Sequence, residues 1–390
     1  MSRNFAEFCS KKGLKSYSCG KKAKKYLGRM VKAYLIYKTV AMALGYAYAP
    51  EAAIRGETKE SLMEASRKTH IVTARNDTVL SYNFNGSEER RERLQNLVGA
   101  VMQTPTGRKV LQEMADKDCV LMMEGIGLTT AGFFSPTHNA ICLNSWMSDA
   151  TLASTLVHEG THALQSHRSG YSLSEKYDKA SLFMIGRTME ADAVRAQTQF
   201  SFEAASAGMD APWKSLCRQH PQITQTYERA VKEFGSQDPR TAQLTMKAWF
   251  SEKDYAMLYE RQYAEAVKDV VDKAAPSELN GMFSVSVPTD SIVSKLCRTE
   301  DGCRYFGTDG KALETADTYY IHSSTKETLD ETESTFQKRT KAETGVQKSD
   351  NSYKAFYVTD SRGTVSPPEN TTVSTGSHSF RFYETVTRNR

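Results

Sequence analysis

No CxxC pair occurs in the sequence, and its seven cysteines are odd in number and scattered along the chain. This pattern excludes a disulfide framework and a structural zinc site built from paired cysteines, and reduced thiols predict a cytoplasmic protein. A phosphate-binding loop, a dinucleotide-binding glycine fingerprint and a serine-nucleophile elbow are also missing, which excludes three common enzyme chemistries. Residues 1–20 lack the apolar core of a standard secretory signal, and the apolar stretch at 39–49 is too short to span a bilayer.

Charge is distributed unevenly. Residues 1–38 carry eleven basic side chains and one acidic side chain, whereas the whole chain has a formal net charge of only +5. The rest of the chain is therefore slightly acidic. A basic arm on an acidic body suits an anionic partner, either nucleic acid or lipid headgroups at a membrane surface. The alternative is a solvated arm that binds nothing.

Composition divides the 390 residues into three segments. Residues 1–60 form the basic arm and an amphipathic helix, and residues 61–275 alternate apolar periodicity with turn signals, as a folded body does. Residues 276–390 are rich in Ser, Thr, Asp and Lys and are predicted to be a polar, largely disordered tail. Helical patterns outnumber strands in the body. The predicted fold class is α+β, mainly α, with a small sheet ahead of one central helix.

That central helix carries an HExxH sequence, which runs from His158 to His162. Residues four apart share one face of a helix, so both imidazoles can reach a single Zn²⁺ ion. Glu159 lies beside this face, where it can act as the base toward a water molecule at the metal. The neighbouring residues are uncharged, and polar side chains buried among them need a partner or a metal. The alternative interpretation is a structural pair of hydrogen-bonded histidines.

A third ligand has to come from another segment. Glu190 lies 28 residues after His162, on a second long helix that a helix–loop–helix return would bring back against the first. Asp192 is its rival, or an acceptor that holds a histidine N–H. His167 is a weaker rival, because it is about half a turn off the ligand face.

HExxH followed by a downstream ExDA helix resembles the zincin-type, glutamate-liganded (gluzincin-like) metallopeptidases, and most closely the poorly characterised bacterial metallopeptidases whose HExxH runs on into Ala-Leu-Gln. The resemblance implies a zincin-like domain with zinc bound by His158, His162 and Glu190, and with Glu159 as the catalytic base. It also implies that the strand at residues 139–144 borders the cleft and pairs with extended substrate through Asn139, Ile141 and Leu143. The distance to the third ligand is longer than in thermolysin-like enzymes, and no metzincin extension follows His162.

A reaction of this kind usually needs a second electrophile for the oxyanion. Tyr255, Tyr259 and Tyr263 recur four residues apart on a downstream helix, and His220 is a further candidate. A stripe of this kind is also typical of core packing.

Two functions of different classes follow from these patterns. The first is zinc-dependent hydrolysis of a peptide or protein substrate. The alternative is a non-catalytic helical interaction protein with a vestigial metal site, which the polar tail and the basic arm would suit. A role in nucleic-acid binding rests on the basic arm alone.

Overall fold

The structure, a computed structural model, describes residues 70–72, 79–81, 88–126, 130–298, 302–306 and 310–369. The described part is mainly helical and contains three small sheets. Its helices are α1 (Glu88–Val101), α2 (Pro105–Asp116), α3 (Asp149–Ser169), α4 (Lys179–Ser206), α5 (Asp210–Gln219), α6 (Pro221–Phe234), α7 (Pro239–Ser251), α8 (Lys253–Lys273), α9 (Pro276–Leu279), α10 (Thr289–Leu296) and α11 (Ser323–Thr344). The prediction of an α+β, mainly α fold is confirmed.

The strands form one pair and two three-stranded sheets. They are β1 (His70–Val72), β2 (Val79–Ser81), β3 (Val120–Glu124), β4 (Gly132–Ser135), β5 (Ala140–Asn144), β6 (Tyr320–His322), β7 (Tyr357–Thr359) and β8 (Val365–Ser366). Strands β1 and β2 pair antiparallel. The middle sheet has the order β3-β5-β4, with β5 parallel to β3 and antiparallel to β4. The last sheet has the order β6-β7-β8.

Strand β5 lies in the centre of its sheet, whereas the predicted pairing with an extended substrate requires a strand at the edge. Its main chain pairs with β3 on one side and with β4 on the other, and the side chains of Ile141 and Leu143 are fully buried. Asn139 precedes the strand in a turn, where it has a φ of 51°. Its side-chain amide donates to the carbonyls of Lys117 and Asp118. The predicted role of Asn139, Ile141 and Leu143 in substrate pairing therefore loses its basis.

Helices α3 and α4 are long, buried and packed against each other. The Ser148 side chain accepts a hydrogen bond from Thr151 N and caps the start of α3, and Gly170 ends the helix with a left-handed φ of 66°. The Asp178 side chain caps α4 by accepting from Ser181 N. The two caps fix the first residues of α3 and α4. Helical periodicity then determines which side chains of α3 face α4 and which side chains of α4 face α3.

The apolar core has two large clusters of buried residues, and a small third cluster lies within the β3-β5-β4 sheet. The sheet-side cluster is formed by α1, α2, the β3-β5-β4 sheet, α3 and the last part of α4. The C-terminal cluster is formed by the first part of α4, by α7, α8 and α10, and by residues from 276–356. Helix α4 contributes to both large clusters and passes from one to the other between Val194 and Ala196.

The prediction of a largely disordered tail is wrong for the described residues after position 275. Helix α11 covers most of the Ser-, Thr- and Glu-rich run, and its Leu329 and Phe336 belong to the C-terminal cluster. Composition hid this helix because only two members of its buried stripe are apolar; the stripe is Thr325, Leu329, Thr332, Glu333, Phe336 and Thr340. Buried threonine hydroxyls bond back to helix carbonyls, as Thr340 does to Phe336 O at 2.9 Å. A polar helix can thus be packed without a long apolar pattern.

The basic arm and the amphipathic helix at residues 1–60 lie outside the described residues. The predicted binding of the arm to nucleic acid or to a membrane surface therefore remains a prediction. The division between body and tail remains a prediction. In the described part, α7 and α8 are separate helices that meet at Glu252. None of the described helices combines the length and the apolar character needed to cross a membrane.

Candidate metal centre

His158, His162 and Glu190 meet between α3 and α4. The two histidines are one turn apart on α3, and their rings are nearly perpendicular with centroids 4.8 Å apart. Glu190 reaches them from α4, and one ligand atom from each of the three residues lies within 4.8 Å of the other two. All three side chains are buried. The structure therefore brings together the three predicted ligands, although Glu190 lies 28 residues after His162 in the sequence.

The spacing of these atoms fits one tetrahedral metal ion. The Nε2 atoms of His158 and His162 are 3.2 Å apart, and each lies 3.5 Å from one Glu190 oxygen, His158 from Oε2 and His162 from Oε1. Metal–ligand bonds of about 2.0–2.1 Å in a tetrahedral site separate the ligand atoms by about 3.3–3.4 Å. Among the described residues, the buried Glu190 Oε2 atom has no hydrogen-bond partner. Such an atom has acceptor capacity left for a cation.

Charges within the group hold Glu190 in its ligand form. Burial alone would raise the pKa of Glu190, but the charges of His162 and His158, whose ring nitrogens lie 3.5 Å from its oxygens, lower it to about 2. Burial alone would lower the pKa of His162, whereas the charge of Glu190, with hydrogen bonds to Glu190 and Gln165, raises it to about 9. Without a metal, a proton on His162 therefore balances the buried carboxylate.

Glu159 lies beside the ligand group, next to strand β4. Burial raises the pKa of its carboxyl group, while His158 and His162 act in the opposite direction. The main-chain N–H of Phe134 acts on this carboxylate as a hydrogen-bond donor and also lowers its pKa. A glutamate with a raised pKa at a metal group is typical of a general base.

The two rival ligands lie elsewhere. The Asp192 carboxylate accepts from Gln165 Nε2 at 2.9 Å, and Gln165 Oε1 in turn is 2.9 Å from His162 Nδ1. Asp192 thus contacts a histidine ligand only through Gln165. His167 Nε2 is 2.8 Å from Asn139 Oδ1 in the turn before β5.

The predicted electrophiles form a layer of rings next to Glu190. The hydroxyl groups of Tyr255 and Tyr259 are 3.1 Å apart, and Tyr263 packs across Gly186 on α4. Burial raises the pKa of all three tyrosines, and the charge of Glu190 raises it further. His220 packs against the Tyr255 ring in a tilted geometry, with centroids 4.5 Å apart, and pairs with Glu252 at 2.9 Å.

Sequence reasoning missed three groups at this site: the side chains of Gln165 and Tyr305, and the main-chain N–H of Phe134. Gln165 had a detectable signal, because it lies three residues after His162 on the same helix face. Tyr305 had none, since its hydroxyl reaches Asp192, at 2.6 Å, from a hairpin more than a hundred residues away.

Comparison with known protein families finds a family that matches the chain. The model of the family described as "Putative metallopeptidase family (DUF6782)" matches residues 73–306, well over half of the chain. The chain belongs to this family. Membership of a metallopeptidase family implies a metal ion and supports peptidase activity, and the matched segment includes the three ligand residues and ends one residue after Tyr305. No curated protein sequence and no solved structure matches the chain.

Proposed function

We propose that this member of the metallopeptidase family is a zinc-dependent, zincin-type peptidase with Glu159 as its catalytic base. One observation carries the proposal: two imidazole nitrogens and a carboxylate, buried between α3 and α4, are separated by 3.2–3.5 Å. Two histidines and one glutamate are a common ligand set of catalytic zinc, which keeps a fourth position open. Calcium and magnesium prefer sites built entirely from oxygen.

His158, His162 and Glu190 would hold the zinc ion, which would supply Lewis-acid chemistry for the substrate carbonyl and for water near neutral pH. Glu159 takes the proton of the attacking water and later delivers it to the leaving amine. The upward shift of its pKa, caused by burial, supports this role, because a more basic carboxylate takes a proton from water more readily. Tyr255 and Tyr259 are the candidates for hydrogen bonding to the oxyanion.

Strand β4, rather than β5, is the proposed binding edge for an extended peptide. Asn144 N donates to Ala131 O at 2.9 Å, so alternation along an antiparallel pair points the main-chain groups of Gly132 and Phe134 away from β5. Among the described residues, β4 pairs only with β5. A peptide added along this edge would pass the Glu159 carboxylate, which the Phe134 N–H already contacts.

The test is the Glu159→Gln variant, loaded with zinc and incubated with a mixture of unfolded proteins. New peptide termini are counted by mass spectrometry. We expect the variant to bind zinc as the wild type does and to lose cleavage by about 10²–10⁴-fold, because only the base is removed. Glu228→Gln, an exposed change of the same charge on α6, is the matched control and should cleave normally.

Two outcomes count against this proposal. Undiminished turnover by Glu159→Gln would remove Glu159 from the mechanism. Zinc binding by the wild type without any new termini would favour the alternative, a non-catalytic interaction protein with a vestigial metal site. The described part of the tail already lacks the open character that motivated this alternative, because α11 is packed into the core.

A further inference from the structure

The Gln165 side chain lies between both ligand-bearing helices. Its Oε1 atom is 2.9 Å from His162 Nδ1. Its Nε2 atom donates to Met189 O at 3.0 Å and to Asp192 Oδ2 at 2.9 Å. Gln165 is only 3% exposed. A single buried amide thus contacts a histidine ligand on α3 and the carbonyl of the residue before Glu190 on α4.

The partners of this amide leave it only one orientation. A main-chain carbonyl and a carboxylate are both acceptors, so the two N–H groups of Gln165 have to face them. The amide oxygen then faces His162, and Nδ1 is the ring nitrogen that donates to it. His162 Nε2 is left facing Glu190, 3.5 Å from its carboxylate. A flipped amide would set its oxygen against two acceptors, which is unfavourable in a buried site.

Asp192 is itself held from the far side. Its Oδ1 atom accepts from Tyr305 Oη at 2.6 Å and from Arg195 Nε at 2.8 Å, which leaves Oδ2 for Gln165. The Arg195 guanidinium also lies 4.9 Å from the centroid of the Tyr305 ring. Tyr305 N donates to Cys297 O at 3.0 Å, which ties the hairpin after α10 into this chain of contacts.

We infer that Gln165 is the positioning residue of the metal centre, held in its working orientation by Asp192, Arg195 and Tyr305. It fixes the His162 ring with Nε2 toward the metal, and through Met189 O it sets the distance between the two ligand helices. This inference rests on the proposed function, because it concerns the zinc ligands. The hydrogen-bonded residues Gln165, Asp192, Arg195 and Tyr305 lie outside the HExxH motif, and the inference gives them a role in orienting a metal ligand.

The decisive variant is Gln165→Met, which keeps the length of the side chain and removes its hydrogen bonds. Zinc affinity is measured by competition with a chromophoric chelator, and the His162 ring nitrogens are followed by ¹⁵N NMR in the zinc-loaded protein. We expect zinc to bind about 10–100-fold more weakly. We also expect the wild-type signature, Nδ1 protonated and Nε2 on the metal, to be replaced by a mixture of ring states. A purely structural role would not change that signature.

Gln337→Met is the matched control. Gln337 is a half-buried glutamine on α11, and its side chain bonds to Glu333 and Gln347, outside this chain of contacts. It should leave the His162 spectrum unchanged. Tyr305→Phe serves if Gln165→Met does not fold, because it removes one hydroxyl group at the far end of the chain of contacts. It should weaken zinc binding by about 2- to 10-fold, the value of one hydrogen bond.

The outcomes separate this inference from the proposed function. Wild-type zinc binding with an unchanged affinity and an unchanged His162 signature in Gln165→Met overturns the inference and leaves the proposed function intact. A wild-type protein that binds no zinc contradicts both, since no metal ligand is then left to position.

Discussion

Two buried polar clusters lie on α4, and they differ in how completely their hydrogen bonds are satisfied. At the start of the helix, the Lys179 ammonium group bonds to Glu333 and to Asp350 O and faces the rings of Phe283, Phe336 and Tyr353. Three turns later, the group of His158, His162 and Glu190 retains a carboxylate oxygen with no hydrogen-bond partner among the described residues.

The difference shows how a structural cluster can be told from a binding site. In the Lys179 cluster, Glu333 Oε1 accepts from Gln337 and from Asp350 N, and Asp350 Oδ1 accepts from Ser352 N. Every charge there has its partners inside the protein, so the cluster fastens α11 to α4. The histidine cluster has unused acceptor capacity, and a group of this kind is stable when a cation completes it.

The largest expected effect comes from breaking the complete cluster. Lys179→Met leaves Glu333 and Asp350 buried without their cation, which should lower the free energy of unfolding by about 3–5 kcal/mol. Chemical denaturation measures this. The paired variant Lys179→Met/Glu333→Gln should cost less than Lys179→Met, because it removes one of the unpaired charges. A loss below about 1 kcal/mol in Lys179→Met would show that α11 does not depend on this cluster.

Removing the apolar anchor of α11 tests the same attachment while the charged groups of the Lys179 cluster stay in place. Phe336 is 2% exposed, and Phe336→Ala should destabilise the protein by about 3–5 kcal/mol through the cavity it leaves. The zinc affinity of the folded protein should not change, because Phe336 packs in the C-terminal cluster beside Lys179, three helical turns from Glu190. Lys338→Ala, on the exposed face of the same helix, is the control and should stay within about 0.5 kcal/mol. An equally small effect for Phe336→Ala would restore the hypothesis of a loosely attached tail.

Within the motif, Gly160 permits the close approach of α2 to α3. A Cβ atom added there would lie 2.5 Å from Val110 Cγ1 and 2.8 Å from Met114 Sδ. Gly160→Ala should therefore cost about 1–3 kcal/mol of stability and also weaken zinc binding, because α3 has to shift. Gly99→Ala on α1 is the control: it has open space around it, and should stabilise the helix by about 0.5–1 kcal/mol. If calorimetry gives the same stability for Gly160→Ala and Gly99→Ala, then Gly160 is not needed for the close packing of α2 against α3.

The smallest effect is on the pH dependence of zinc binding. The pKa of His162 in the metal-free protein is raised from 6.5 to about 9, so between these values a proton occupies a ligand and has to leave when zinc binds. Zinc affinity should rise by about tenfold per pH unit and level off above a pH of about 9. Titration calorimetry in two buffers of different ionisation enthalpy should detect close to one released proton at pH 7.5. An affinity that is flat between pH 7 and 9 would contradict this proton competition.

Local patterns predicted which side chains meet between α3 and α4, whereas their role as metal ligands remains a prediction. HExxH defines one face of α3, and an acid on the next long helix supplies Glu190. All of these signals operate within one or two elements, where helical periodicity fixes which side chains meet.

Features that depend on distant pairing were not predictable. The central position of β5 arises because β3, earlier in the chain, pairs parallel to it on the side away from β4. The packing of α11 was hidden because its buried stripe is mostly threonine and glutamate. The contact from Tyr305 to Asp192 spans 113 residues, and no local pattern encodes it.

The most direct test of the central claim is the zinc content of the purified protein, measured beside that of the His158→Ala/His162→Ala double variant. We expect close to one zinc ion per chain in the wild type, and its loss in a variant that is still folded by circular dichroism. If neither protein holds zinc, even after reconstitution with the metal, the geometry between α3 and α4 is a structural histidine pair and the proposed peptidase mechanism is wrong.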